Sequence, residues 1–468
     1  QQRPAHALPG DTGTRSGDRP ETQPEAPEFG AEDAVTSPHH GAVNRRSGRF
    51  LLRLVVVLLL ALAAGVTATL PTVLAGSDPA GDRQTGSVPG SDPRRPKENW
   101  YATWATSQVS APNQVTSRVA GRTVRMTVRI SLGGRALRLR LANTFGIAPV
   151  SFGDVYVGLS AAGPAVEPGT NRRVSFKGSP TVTVPAGQRV VSDPVRLPVS
   201  SGADLVVSVH LPLTATPPVS WHPTARASTY LSEFGNYTAN ESGSEYSTTR
   251  FSWLYLDGVE VRARALGTIV GFGDSLTDGT ASTIDANCRY PDFLAFRMRQ
   301  EGIARSVVNT GIAGNMLLVD RASRGPGGRS RFLQDALGQT GVTDVIVLEG
   351  INDIGLNPLT TPEDLITGYR TMIGQAKARG VRIHGGTLLP YRGAGYYTEV
   401  GEHTRQVVNH WIRTSGEFNG VVDFDAALRD PANPVRLWSG YDSGDHLHPS
   451  DDGYRAMADA VALSLFRP

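Results

Sequence analysis

The chain has 468 residues and a hydrophobic fraction of 39%, enough for two or three domains with sizeable cores. Its formal net charge is only +3, which argues against an extended nucleic-acid-binding surface, so no nucleic-acid partner is expected. Cys288 is the only cysteine, which excludes an internal disulfide and a cysteine metal cluster.

Residues 1–49 are rich in Pro, Gly, Ser, Thr and charge and lack apolar periodicity. Such a tail cannot bury a core and is expected to be disordered. RRSGRFLLR then leads into LVVVLLLALAAGVTATLPTVLA, an uncharged run of 22 residues at 54–75. A basic flank before an apolar run marks an export signal or a membrane anchor, assigned here to residues 50–75. The run is long enough to span a bilayer. Its strongest part ends near Val66, however, and Val73-Leu74-Ala75 after Pro71 fits a signal-peptidase site. On either reading the rest of the protein is expected outside the cytoplasmic membrane, secreted or anchored. Residues 76–97 read as a Pro/Gly/Ser linker.

Between residues 98 and 264 the apolar period is two. TVRMTVRIS places Val124, Met126, Val128 and Ile130 on one face, with Arg125, Thr127 and Arg129 on a solvated one. After Gly133-Gly134, ALRLRLA repeats the alternation with Leu137, Leu139 and Leu141, predicting a hairpin. VSFGDVYVGL, TVTVPAG and DLVVSVHLPL predict further strands, and WLYLDGVEVRA predicts a pair turning at Asp257-Gly258. No helix intervenes in this reading, which predicts an all-β sandwich or jelly-roll domain over 98–264.

From residue 265 to 468 the pattern becomes α/β. GTIVGF, SVVN, DVIVLE, VRIHGGTLL and GVVDF read as strands. Thr361 followed by Pro362 and Asp364 opens a helix whose face is Leu365, Ile366, Tyr369, Met372, Ile373 and Ala376. A last helix is predicted over 451–466. Five strands with helical crossovers predict a parallel sheet covered on both faces, with ligands beyond its carboxyl edge.

The first of these strands runs into GFGDSLTDG at 271–279. A dinucleotide fingerprint fails there because Leu276 stands where the third glycine belongs. A P-loop fails for want of a lysine, and the Gly-x-Ser-x-Gly elbow fails at Thr277. Ser275 as a nucleophile fares better, because other strand ends carry the groups it needs. NTGIAGN follows the second strand with Gly314, EGIND follows the third with Asn352, and GDHLHPS follows the fifth with Asp445 and His448. A serine hydroxyl needs a base, His448, and that base needs a carboxylate, Asp445, to set its tautomer. The amides of Ser275 and Gly314 and the Asn352 side chain would serve as oxyanion donors.

These four blocks, GDSL, GIAGN, GIND and DHLHP, resemble those of the SGNH (GDSL) hydrolase superfamily. The resemblance covers about 200 residues and implies a flavodoxin-like three-layer fold and Ser-His-Asp esterase chemistry without metal or cofactor. It assigns Ser275, Asp445 and His448 as catalytic and Ser275, Gly314 and Asn352 as the oxyanion hole. WYATWATSQVSA and the strand-rich region are similar to secreted members that carry an N-terminal β-sandwich.

Asp274, Asp278 and Asp353 read as structural. His446 and His448 lack a third metal ligand, and Cys288 reads as a buried hydrophobe. RASRGPGGRSRF (321–332) and YRGAGYY (391–397) read as loops able to shape a substrate site. The expected function is an exported serine esterase for O-acyl esters: acetylated carbohydrate, short acyl ester or lipid. The alternatives are a cell-surface carbohydrate-binding protein and an acyltransferase on the same scaffold.

Overall fold

Apolar runs without alternation belong in strands covered on both faces, and the α/β half is built from such runs. The computed structural model describes residues 98–214 and 218–467. The expected tail, signal or anchor, and linker all lie outside the described residues. Thr268–Gly273, Ser306–Asn309, Val342–Leu348, Arg382–Gly386 and Gly420–Val422 form one parallel sheet. Its spatial order is second, first, third, fourth, fifth. Ile269, Val270, Phe272 and Val345 through Leu348 are buried in the core between sheet and helices. Helix Pro362–Ala378 begins with a reciprocal cap, the Thr361 hydroxyl taking the Asp364 amide while the Asp364 carboxylate takes that of Thr361. The order reverses between the first and third strands, which opens a crevice beyond their carboxyl ends. The last helix is shorter than expected: Asp451–Ala460 is helical and Leu463–Phe466 is a separate 3-10 turn.

The strand-rich half is two antiparallel sheets over one core. Val124, Met126 and Val128 of one sheet meet Leu137, Leu139, Leu141, Val259 and Val261 of the other. Four local expectations fail here. The Gly133-Gly134 hairpin does not form. Arg122–Arg129 pairs with Asp204–Leu211 and Thr229–Phe234, while Leu137–Ala142 pairs with Leu256–Arg264 and Arg189–Val191. The two runs lie in opposite sheets and face each other across the core. Alternation says which face is buried, not which neighbour completes the ladder.

Asp257-Gly258 is likewise no turn. It lies inside strand Leu256–Arg264 at a register shift, where Asp257 binds Arg140 Nε and Arg189 Nε, each at 2.7 Å. Arg125 is not on a solvated face either. It is fully buried, donating to Ser208 Oγ and to the carbonyls of Pro164 and Asn240, with Tyr246 stacked on its guanidinium. A short helix, Asn113–Val119, also interrupts the strands.

The segment after residue 98 runs along the parallel sheet and bonds to it repeatedly. Ala102 N donates to Thr340 O at 2.9 Å, and Ser107 Oγ to Thr310 O at 3.0 Å. Arg140 also reaches Gln339 Oε1 at 3.0 Å. The described residues fall within one compact unit. Asp257→Ala would leave Arg140 buried without its main counter-charge, at a cost of about 3–5 kcal/mol. Urea unfolding would read this as a lower midpoint, and a loss below about 1 kcal/mol would count against the assigned pairing.

Candidate active site

The first strand ends on a glycine for a steric reason. A Cβ at Gly273 would stand 2.0 Å from the Leu348 carbonyl oxygen, so any larger residue would push the first and third strands apart. Asp274 then caps the short helix Ser275–Asp278, its Oδ1 accepting from Leu276 N at 3.0 Å. This sets Ser275 at the helix start beyond the carboxyl edge.

His448 closes on it from the far end of the chain. Its Nε2 lies 2.8 Å from Ser275 Oγ, and its Nδ1 lies 2.5 Å from Asp445 Oδ2. A carboxylate only accepts, so Nδ1 carries the hydrogen and the Nε2 lone pair faces the serine hydroxyl. The other oxygen of Asp445 accepts the amides of Leu447 and His448 at 2.9 and 2.8 Å. Partial burial opposes the charge on Asp445. The hydrogen bonds and field of His448 outweigh it and hold the carboxyl well below the usual range.

Gly314 and Asn352 come from the neighbouring strand ends. Gly314 has φ +72°, a conformation that favours glycine. Among the described residues the amides of Ser275 and Gly314 make no hydrogen bond. Asn352 lies in the first turn of helix Ile351–Leu356. One Nδ2 hydrogen is spent on Asn315 O at 2.9 Å, and Oδ1 accepts from Tyr396 OH at 3.4 Å. Its second amide hydrogen is uncommitted. A cavity of about 300 Å³ beside Trp253 and Phe293 is lined by none of these residues, although it reaches Asp278.

Sequence reasoning missed Arg331. It was part of a segment read as a substrate loop, but Gly328–Asp335 is a helix and Arg331 is buried under the site. Its guanidinium donates to Gly273 O at 2.8 Å, Thr310 O at 2.7 Å, Asn315 Oδ1 at 2.8 Å and Glu349 Oε2 at 3.1 Å, with its face on Phe272. Helical spacing from Gly327-Gly328 into SRFLQDAL was the available signal. In YRGAGYY, Tyr391 is buried in the core while Tyr396 borders Asn352.

Asp353 accepts the amides of Leu317 and Leu318. His446 turns away to Asp442. Among the described residues no group of three or more His, Cys, Asp or Glu could hold a metal. Cys288 is half-exposed rather than buried, and what burial it has pushes its thiol pKa up.

The sequence profile of the GDSL-like lipase/acylhydrolase family matches residues 272–456. No curated protein matches the chain. Among solved structures, a G-D-S-L family putative lipolytic protein from Desulfitobacterium hafniense is 23% identical, spanning 42% of this chain and 97% of its own with a TM-score of 0.33. An aryl esterase from M. smegmatis is 17% identical, over 42% and 95%, with a TM-score of 0.35. A carbohydrate acetylesterase family member from Sinorhizobium meliloti is 15% identical, over 43% and 99%, with a TM-score of 0.36.

Beneath the site, Asp274, Glu349 and Asp353 are buried, with Glu349 paired to the Arg331 guanidinium at 3.1 Å. Burial pushes Asp274 up to about 7 and Asp353 up to about 6, and lifts Glu349 well above the usual carboxylate range. Over about pH 4 to 7 the folded protein therefore keeps a proton on Asp274 that the unfolded chain releases, so this group's contribution to stability falls as pH rises. Asp274→Asn should remove that loss, improving by about 1 kcal/mol or more relative to wild type between pH 4 and 7. Denaturant unfolding of both proteins across that range checks it, and parallel stability–pH curves would refute the raised carboxyl.

Proposed function

We propose, from the premise that residues 272–456 belong to the SGNH/GDSL hydrolase superfamily of ester hydrolases, that this protein hydrolyses O-acyl esters through an acyl-serine intermediate. The observation that carries the reading is the unbroken line Ser275 Oγ–His448 Nε2, His448 Nδ1–Asp445 Oδ2. Ser275 Oγ attacks the ester carbonyl carbon and its proton passes to Nε2. The carbonyl oxygen becomes an oxyanion, received by the free amides of Ser275 and Gly314 and by the uncommitted hydrogen of Asn352. Collapse breaks the bond to the alkoxy oxygen, and the His448 imidazolium returns the proton to the departing alcohol. Water, deprotonated by the same nitrogen, then attacks the acyl-serine; the acyl–Oγ bond breaks, the imidazolium returns that proton to Ser275 Oγ, and the acid is released. Asp445 stays ionised throughout and stabilises the imidazolium between the two transfers.

The substrate class is a carboxylic ester with the acyl carbon exposed: acetylated carbohydrate, short acyl ester or lipid. Action outside the cytoplasmic membrane belongs to the same proposal and is supported by the basic-flanked apolar run at 54–75. Among the described residues no helix is long and apolar enough to cross a membrane.

Ser275→Ala should abolish turnover of 4-nitrophenyl acetate while circular dichroism and the unfolding midpoint stay near wild type. Full activity in that variant would end the assignment. Asn352→Ala should lower kcat by about 10²–10³ with KM little changed, the loss expected for one oxyanion donor. An unchanged kcat would remove Asn352 from the site.

A further inference from the structure

The strand-rich half reaches the catalytic loops at a second point. His222, at the end of strand Ser220–His222, is 1% exposed. Its Nδ1 lies 2.8 Å from the Ser107 carbonyl oxygen and its Nε2 lies 3.0 Å from Asp278 Oδ1. A carbonyl oxygen and a carboxylate both accept. Both ring nitrogens therefore donate, which only the imidazolium can do.

Asp278 is engaged on its other side as well. Its Oδ2 accepts from Thr224 Oγ1 at 2.5 Å and from Ala313 N at 2.9 Å. Three donors converge on this one carboxylate, so the pair is a buried ion pair with its lone pairs largely satisfied. Burial opposes the charge on His222. Asp278 and the Ser107 carbonyl outweigh it, against a smaller repulsion from Arg289, and raise the imidazole pKa. Trp253 lies against the ring at 5.4 Å between centroids.

Ala313 immediately precedes Gly314. Asp278 ends the helical turn that Ser275 begins. One carboxylate thus joins the serine's own turn to the loop carrying the second amide donor. We infer that His222 and Asp278 form a positioning pair: the charged imidazole holds the Asp278 carboxylate, which holds the Ala313 amide and so aims the Gly314 amide at the oxyanion. The inference rests on the esterase reading above. It makes the antiparallel half part of the catalytic apparatus, supplying Ser107, His222 and Thr224 in support of the loops. Neither His222 nor Thr224 touches the reacting atoms.

The test uses the full chain with 4-nitrophenyl acetate, with sites counted by titration with a fluorophosphonate so that kcat refers to folded, reactive protein. His222→Gln should lower kcat per titrated site by about tenfold or more, with KM within about twofold, because a donor is displaced rather than removed. Thr224→Val, which removes one of the three donors to Asp278, should give a smaller loss of the same kind. In ¹⁵N-histidine NMR at pH 7.5, the signal absent from His222→Gln should report two protonated ring nitrogens in wild type, and Asp278→Asn should abolish that state. Wild-type kcat per site in both His222→Gln and Thr224→Val would overturn the proposal, as would a singly protonated His222. If His222→Gln yields no folded protein, Thr224→Val and the NMR signature decide. Failure of the esterase reading is separable, since it appears as activity in Ser275→Ala.

Discussion

Arg331 is the constraint on which the site depends. One guanidinium bonds the carbonyls that end the first and second strands, the side chain at the end of the third, and Asn315 beside Gly314. The three loops that carry Ser275, Gly314 and Asn352 therefore share a common anchor beneath them. Arginine suits this place because its donors lie in one rigid plane and its charge persists in a buried site. Its face is covered by Phe272, so the strand that delivers the serine also packs the cation. Burial beneath the site raises the pKa values of Asp274, Glu349 and Asp353 above the usual carboxylate range.

The antiparallel half completes this arrangement. Ser107 Oγ donates to the Thr310 carbonyl and accepts from Arg331, while its own carbonyl receives His222. A single residue, through its side-chain hydroxyl on one side and its backbone carbonyl on the other, thus joins the anchor beneath the loops to the ion pair beside them. Elsewhere the two halves meet through buried charge, as where Arg140 spans Asp257 and Gln339. Buried ionic contacts add little net stability, but removing one partner is costly, which ties the halves in one geometry.

Much of the α/β half was legible because its signals are local. Continuous apolar runs, a Thr-Pro-x-Asp helix start and glycine-rich strand ends each follow from nearest-neighbour sterics and periodicity. The candidate-site blocks could be placed on one edge because parallel strands with crossover helices put every carboxyl end on the same side. The antiparallel half was less legible. Gly133-Gly134 resembles a hairpin turn locally, but the flanking runs found partners more than 40 residues away. Arg125 resembles a surface residue until the 237–246 loop is folded over it. Partner choice in antiparallel sheets is a long-range decision that alternation does not encode.

The sequence by itself determined which groups the candidate site holds: a serine after a strand, a histidine three residues beyond an aspartate, and amides at two other strand ends. Those groups sit at the ends of locally coded elements, so their order along the chain implied their meeting. Only the tertiary structure decided what holds them there. Arg331 lay in a segment that reads as a polar loop, and His222 lay in a strand of the other half, 56 residues from Asp278. Their roles arise from burial and from partners distant in sequence, and neither burial nor a distant partner is written in a residue's local neighbourhood.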